Sequence, residues 1–266
     1  MIISDELARR LEDAEAVDAA GCVDAECCLS PNSNAEAKGV AGGFLTFCGT
    51  ESPLTHAIGV GMHGPVSVDE VYEIEHFFRS RGAAVAIDVC PHADASLRDI
   101  LCQRGYRITE FNNVLVRPLP AGELPERPSH LEIRTAGADE EELYARTVVR
   151  GFFGRDEMTD AEYRLGRILF HMPCSNVLMA FADGEAAGCG GLSIRNRVAN
   201  FFGDATLRSQ RNRGSHSALI AERLRIASAD GCDVATAGTQ PGSTSQANYQ
   251  RFGFEVAYSK ITMVLD

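Results

Sequence analysis

The 266-residue chain is 45% hydrophobic and 23% charged, and its formal net charge is -12. This composition is typical of a globular protein, and the length allows two domains that each bury a core. Such a negative charge argues against a nucleic-acid partner, because that binding depends on Lys and Arg side chains that neutralise backbone phosphates.

The sequence indicates neither a secretion signal nor a membrane-spanning segment. Residues 1–6 lack a basic segment followed by an apolar one, and no apolar run approaches the roughly 18 residues that span a membrane. The nine cysteines include no Cys-x-x-Cys pair, which indicates a reducing compartment and no metal site. We therefore expect a cytoplasmic protein with no membrane partner and no bound metal.

Helices and strands are predicted in mixed order through the first half of the chain. The helices cover about residues 4–29, 68–79 and 95–104, and the strands about 43–48, 55–61, 82–88 and 108–116. The helix at 68 has the clearest start, because Ser67 and Glu70 form a capping-box pair.

A glycine-rich segment, Gly59–Pro65, precedes that helix. Its Gly-x-Gly-x-x-Gly pattern can hold the phosphates of a dinucleotide, with Asp88 as the ribose partner. However, Pro65 and Ser67 move the helix start beyond the third glycine, and the half is short for a full dinucleotide fold. The alternative, which we favour, is a loop that serves packing.

Both halves of the chain end in the same order of features. A strand, a short helix, a Gly-aromatic pair and a closing strand follow one another, and the pairs are Gly105-Tyr106 and Gly253-Phe254. Residues 118–128 between the halves contain four prolines, which is typical of a linker. We therefore predict a tandem of two related domains: a first domain at 1–118, a linker at 119–128 and a second domain at 129–266.

The second half contains the most informative motif. Residues 211–216 read Arg-Asn-Arg-Gly-Ser-His and connect a predicted strand, 198–207, to an amphipathic helix that runs to Gly231. A glycine turn at a helix start leaves backbone N–H groups unpaired at the positive end of the helix dipole. The motif therefore predicts a backbone cradle for a pyrophosphate, in which Gly214 lets the phosphate approach the backbone.

The order strand, Arg-x-x-Gly-x-(Gly or Ala) turn, helix, strand and a short helix ending in Tyr-x-x-x-Gly-Phe resembles the GNAT superfamily of N-acetyltransferases. Arg211 and Gly214 match the family's acetyl-CoA loop, and Tyr249–Phe254 match its ending. His216 departs from the pattern, since the family usually has Gly or Ala there. The resemblance covers about residues 130–266.

This resemblance implies an α/β (α+β) fold with two GNAT-like domains, each a mixed, mostly antiparallel sheet flanked by helices. The first domain would be degenerate and non-catalytic, with Gly59–Pro65 as a copy of the cofactor loop that lacks the Arg. Acetyl-CoA would be the co-substrate. The residues expected to bind it are Ala205, Thr206, Leu207, Arg211, Asn212, Arg213, Gly214, Ser215, His216, Ser245 and Asn248.

Two catalytic residues are expected on the same basis, and each has an alternative. Tyr249 matches the tyrosine that protonates the leaving thiolate, but it is also a candidate core aromatic beside Phe252 and Phe254. Asp204 is the first choice for a general base, but a strand-end residue that accepts backbone hydrogen bonds explains it equally well. Ser245 has an alternative too, because Ser243 or Ser245 can cap the short helix.

The acceptor is expected to bind near the helical region 139–170. Phe152 and Phe153, in a Gly151–Gly154 segment that reads as a loop, would shape the pocket wall. His171, in the connection after the helix 160–170, is a further candidate for acceptor binding, although a lone histidine is more often structural.

The sequence therefore predicts an acetyl-CoA-dependent N-acetyltransferase that acts on the primary amine of a small molecule by direct attack on the thioester. The alternative is a non-catalytic acyl-CoA-binding or regulatory protein whose N-terminal half binds a partner. A monomer and a homodimer are both compatible with the sequence.

Overall fold

The computed structural model describes residues 3–120 and 128–265. Its helices are α1 (Asp5–Leu29), α2 (Val68–Arg79), α3 (Ala95–Gln103), α4 (Glu141–Phe153), α5 (Asp160–His171), α6 (Ser215–Ala229) and α7 (Thr244–Arg251). Its strands are β1 (Glu36–Val40), β2 (Gly43–Phe47), β3 (His56–Ile58), β4 (Val85–Val89), β5 (Arg107–Pro118), β6 (Leu131–Thr135), β7 (Ser175–Ala182), β8 (Glu185–Arg195), β9 (Val198–Thr206), β10 (Val234–Thr239) and β11 (Glu255–Leu265). No described helix is long and apolar enough to cross a membrane.

The described chain forms two compact units. The first comprises Met1–Val114, Thr239–Pro241 and Val256–Asp266, and the second comprises Leu115–Gly238 and Gly242–Glu255. These units differ from the predicted domains at their closing strands, because residues 256–265 group with the first unit and residues 115–118 with the second. Most of the predicted linker, residues 121–127, lies outside the described residues.

In the first unit the strand order is β1-β2-β3-β4-β11-β5. The parallel pair β3–β4 is followed by β11, which runs antiparallel to β4 from Ile261 opposite Val89 to Leu265 opposite Val85. The core of this unit packs α2 and α3 on the sheet through buried apolar residues that include Phe47, Val71, Ile74, Phe78, Ile87 and Leu101. The predicted capping box at the start of α2, from Ser67 to Glu70, is confirmed.

In the second unit the order is β5-β10-β9-β8-β7-β6, with β10 parallel to β9 and the pairs β9–β8, β8–β7 and β7–β6 antiparallel. A hairpin turn at Asp183-Gly184 joins β7 to β8. The predicted fold class, a mixed and mostly antiparallel sheet flanked by helices, is therefore confirmed.

The Gly59–Pro65 segment uses its own backbone groups for contacts within the first unit. The Gly61 N–H donates to the Ala41 carbonyl (3.0 Å), and the Gly61 carbonyl accepts from the Asp94 N–H (2.9 Å). Asp88, the candidate ribose partner, accepts a hydrogen bond from the Thr262 hydroxyl (2.7 Å) and pairs with His56 (3.1 Å). Because these groups are engaged internally, the structure favours the packing alternative for this loop.

Candidate active site in the second unit

The strands β9 and β10 separate part of the way along their length. Their parallel ladder runs from Val198 opposite Val234 to Phe201 opposite Ala237. Strand β9 continues to Thr206 without further pairing to β10 among the described residues. The resemblance to the GNAT family implies a splay of this kind. The splay exposes backbone groups of β9 toward the place expected for the thioester.

An irregularity in β9 coincides with the splay. Cys189 of β8 lies opposite Ala205 of β9, and Gly191 of β8 lies opposite Phe202 of β9. Between these two pairs the chain advances by two residues on β8 but by three residues on β9. Strand β9 therefore carries one extra residue, a bulge that includes Gly203 and Asp204. Bulges redirect side chains, and here the bulge accompanies an Asp204 side chain that is 14% exposed.

Asp204 lies at the centre of a buried polar cluster. The Arg223 guanidinium, which is 0% exposed, donates through Nη2 to Asp204 Oδ1, and the Tyr249 hydroxyl donates to Asp204 Oδ2. Arg223 Nη2 also lies 3.4 Å from the Tyr249 hydroxyl. Gly190 on β8 makes room for this ion pair, because a Cβ there would lie 2.8 Å from Asp204 Oδ1 and 3.1 Å from Arg223 Cζ.

Sequence reasoning missed Arg223, although a signal for it was present. The apolar face of α6 is formed by Leu219, Ile220, Leu224 and Ala227, and Arg223 falls on that face. A charged residue at a core position needs a partner, and Asp204 is the acidic residue of the neighbouring strand β9.

The charges in the cluster decide how its groups are protonated. Burial alone would raise the pKa of Asp204, but the adjacent Arg223, together with His216 and the Tyr249 hydrogen bond, holds that pKa well below its usual range. Burial raises the pKa of Tyr249 well above its usual value, and the Asp204 charge adds to this while Arg223 opposes it. Asp204 is thus a weak base with both oxygens engaged, so the geometry speaks against the predicted general-base role.

His216 joins the same cluster from the first turn of α6. Its Nδ1 lies 2.8 Å from Asn248 Nδ2, and its Nε2 lies 3.6 Å from Asp204 Oδ2. Asn248 Oδ1 accepts from Arg251 (2.6 Å), so the Asn248 amide nitrogen is the group that faces His216 Nδ1. The ring also lies edge-on to Tyr249, with centroids 5.6 Å apart.

The turn at residues 211–214 has the predicted form of a helix-start loop. Gly214 adopts φ 87° as the N-cap of α6 and supplies no capping side chain, so the first-turn N–H groups have no side-chain cap. Arg211 and Asn212 are exposed. Arg213, also predicted to bind the cofactor, instead contacts Asp183 and donates to Gln210 (2.8 Å).

One polar atom near this helix start lacks a partner in the described part of the chain. The Ser215 hydroxyl oxygen is buried without a hydrogen bond. Buried polar groups are normally satisfied, so this hydroxyl fits a site that a polar ligand completes. On α7, the Ser243 hydroxyl caps the helix by accepting from the Gln246 N–H (3.1 Å), which leaves Ser245 outside the capping role.

The two phenylalanines expected at the acceptor pocket lie in a helix rather than in the predicted loop. Gly151, Phe152 and Phe153 form the last residues of α4, and Gly154 is its left-handed C-cap. A Cβ on Gly151 would lie 2.7 Å from the Ala205 Cβ, so this end of α4 packs against β9. Phe152 is 69% exposed, although its apolar ring would be more stable when covered.

His171 is placed differently from the prediction. It is the last residue of α5 rather than part of the following connection, and its Nε2 lies 2.8 Å from Glu141 Oε2. Arg167 contacts the same carboxylate. These contacts join α5 to α4 and favour a structural role for His171.

Comparisons with known proteins agree with this geometry. Residues 142–254 match the acetyltransferase (GNAT) family. The structure of a GCN5-related N-acetyltransferase from Kribbella flavida covers 92% of this chain and 95% of its own, with 17% identity and a TM-score of 0.65. A search of curated proteins returned no match.

Two further solved structures have the same fold. A GCN5-related N-acetyltransferase from Sphaerobacter thermophilus is 18% identical over 74% of this chain and 66% of its own, with a TM-score of 0.57. A tandem GNAT protein from the clavulanic acid biosynthesis pathway is 13% identical over 74% of this chain and 68% of its own, also with a TM-score of 0.57. The chain thus has the fold of an N-acetyltransferase. The predicted resemblance of the second half of the chain to the GNAT family, whose members are generally acetyltransferases, is confirmed.

Proposed function

We propose that the second unit transfers an acetyl group from acetyl-CoA to the primary amine of a small molecule by direct attack on the thioester. One observation carries the proposal. The GNAT loop, the bulged end of β9 and the tyrosine of α7 converge through the contacts of His216 and Tyr249 with Asp204.

The start of α6 is the proposed site for the pyrophosphate of acetyl-CoA. The uncapped N–H groups after Gly214 and the helix dipole favour an anion there. The exposed Arg211 adds a positive charge at the same turn, and the unpartnered Ser215 hydroxyl offers a hydrogen bond. Asn248 on α7 lies beside this helix start, with its Nδ2 2.8 Å from His216 Nδ1, and we assign Asn248 and Ser245 of the same helix to the pantetheine.

The backbone of β9 and Tyr249 would carry the chemistry. Backbone N–H groups alternate in direction along a strand, and the Leu207 N–H donates to the Ala187 carbonyl of β8 (3.0 Å). We therefore assign the Thr206 N–H, on the opposite edge of β9, to the negative oxygen that develops as the amine attacks, because the fold fixes it in advance. The Tyr249 hydroxyl would then protonate the departing thiolate, a role worth about 10² to 10⁴ in rate. We assign Asp204 to holding Tyr249 and Arg223 in place, and the proton of the attacking amine passes to water.

Phe152 and Phe153 are proposed to contact the acceptor. Their exposed rings lie at the end of α4, which packs against β9 at Ala205. An acceptor held there would lie beside the thioester. An apolar wall of this kind suits the carbon skeleton of an amine.

A non-catalytic acyl-CoA-binding protein is the second candidate, with the first unit binding a partner. It is favoured by the engagement of the Tyr249 hydroxyl with Asp204, because that proton is directed away from solvent. The two candidate functions differ in whether acetyl-CoA is consumed. An acetyltransferase consumes acetyl-CoA only when a suitable amine is present, whereas a binding protein does not consume it.

A thermal-shift experiment with acetyl-CoA tests where the cofactor binds. A ligand at 100 times its Kd stabilises a protein by about 2.7 kcal/mol, or roughly 5–11 °C for a chain of this size. We expect Gly214→Glu to abolish that shift, because its carboxylate would occupy the anion site. Gly231→Glu is the matched control, since Gly231 has a similar positive φ (76°) and open surroundings just past the other end of α6. A shift that survives Gly214→Glu would contradict the proposed site.

A further inference from the structure

We infer that Arg223 is a positioning residue for this transfer: it fixes the Tyr249 hydroxyl and stabilises the phenolate that forms when Tyr249 gives its proton to the departing thiolate. The inference rests on the proposed function. It assigns a role to a side chain that lies outside the GNAT loop and outside the residues expected from the sequence.

The first argument is the placement of the guanidinium. Arg223 is fully buried on the apolar face of α6, where a charged group is strongly destabilising unless it is paired. An apolar side chain would pack at this position without that cost. Simple packing therefore does not account for an arginine here.

The second argument is how completely its donors are used. Nη1 donates to the Gly191 carbonyl (3.0 Å) and Nε to the Leu219 carbonyl (3.2 Å), which leaves Nη2 directed at Asp204 and at the Tyr249 hydroxyl (3.4 Å). The rigid fork thus fixes one donor within reach of the tyrosine oxygen. The guanidinium also stacks on the Phe201 ring, with its Cζ 4.5 Å from the ring centroid, which favours this orientation.

The third argument is the charge balance during the transfer. The amine nitrogen forms a bond to the carbonyl carbon, the C–S bond breaks, and its electron pair remains on the sulfur. The thiolate then takes the proton from Tyr249 Oη, and the nitrogen releases one proton to water. Tyr249 is left as a phenolate between the negative Asp204 and the positive Arg223 until water reprotonates it, so Arg223 is the group that stabilises the new charge.

Titration of Tyr249 tests this role without knowledge of the acceptor. The titratable neighbours of Asp204 or Tyr249 are Arg223 and His216 on α6, and Cys189 on β8. Protein labelled with ¹³C at tyrosine Cζ would be followed by NMR, and the Tyr249 signal would be identified by its absence in Tyr249→Phe. In Asp204→Asn, Arg223 loses its counterion, so we expect the pKa of Tyr249 to fall below the ordinary tyrosine value of about 10.

The decisive comparison is between Asp204→Asn and the double variant Asp204→Asn/Arg223→Met. We expect the double variant to lose the downward pKa shift, because no buried cation remains to favour the phenolate. Equal Tyr249 pKa values in the two variants would overturn the inference. Asp204→Asn/Arg223→Lys retains the charge and should retain part of the shift, which separates the electrostatic effect from misfolding.

Kinetics supply a second measurement that does not depend on the Asp204 variants. We expect Arg223→Lys to lower kcat about tenfold or more while the KM for acetyl-CoA stays unchanged. Arg225→Lys, an exposed arginine on the same helix, is the control and should change neither value. An unchanged kcat in Arg223→Lys would overturn the inference. Absence of acetyl-CoA binding by the wild type would instead refute the proposed function. The two failures are distinguishable, because the Tyr249 titration tests the role of Arg223 without acetyl-CoA.

Discussion

Lys260 in the first unit gives a quantitative test of how the closing strand β11 is held. Its side chain is 4% exposed, and its Nζ lies 3.2 Å from Glu12 Oε2 and 2.6 Å from Glu15 Oε2. Glu12 on α1 is fully buried and receives a further hydrogen bond from the Tyr258 hydroxyl (2.7 Å). Burial raises the pKa of Glu12, and Lys260 opposes this.

We expect Lys260→Met to lower the free energy of unfolding by about 3–5 kcal/mol, because it leaves the Glu12 carboxylate buried without a counterion. This corresponds to a decrease in Tm of roughly 6–20 °C for a chain of this size. Thermal and urea unfolding followed by circular dichroism would measure the change.

Two variants make the result specific to the buried pair. Lys38→Met removes the other lysine of the chain, whose partner Glu73 is 2.7 Å away with both side chains more than 40% exposed, and it should cost less than about 1 kcal/mol. Glu12→Gln/Lys260→Met removes both charges and should recover part of the loss. The reasoning is refuted if Lys260→Met is no more destabilising than Lys38→Met, or if the double variant is the least stable of all.

Two further predictions concern the site in the second unit, and one concerns an ion pair of the first unit. Gly190→Ala should cost about 1–3 kcal/mol and reduce acetyl transfer, since its Cβ would press on Asp204; normal stability and rate would contradict the packing described. The pKa of Asp88, lowered to about 2 beside His56, lies below its unfolded value near 3.9, so its contribution is present above about pH 4 and is lost as the pH falls toward 2. Urea unfolding across this range should show a smaller acid-induced loss in Asp88→Asn than in the wild type, and equal losses would contradict the pairing. Phe152→Ala should change stability by less than about 0.5 kcal/mol but raise the KM for the amine, and an unchanged KM would remove Phe152 from the acceptor site.

Local signals predicted much of the fold. The capping box at Ser67 and the glycine turn at Gly214 each depend on residues close in sequence, and each has the expected form in the structure. The Gly151–Gly154 segment misled for a related reason. Glycine is a poor helix former, but Gly151 serves the close approach of α4 to β9 and therefore remains helical.

Features set by contacts distant in sequence could not be predicted in the same way. The closing strand β11 is predicted from its own residues, but they do not say which strands it pairs with, so its pairing with β4 and its grouping with the first unit were not foreseen. The Asp204–Arg223 pair joins residues 19 positions apart on different elements. His171 reads as a lone histidine until α4 and α5 pack and bring Glu141 beside it.

Amine-dependent release of the CoA thiol from acetyl-CoA, measured for the wild type and Tyr249→Phe against a panel of small primary amines, tests the central claim most directly. We predict release by the wild type only when an amine is present, and a kcat lowered about 10²-fold or more in Tyr249→Phe. Release that needs no amine, or a kcat unchanged by Tyr249→Phe, would contradict the proposed transfer at this site.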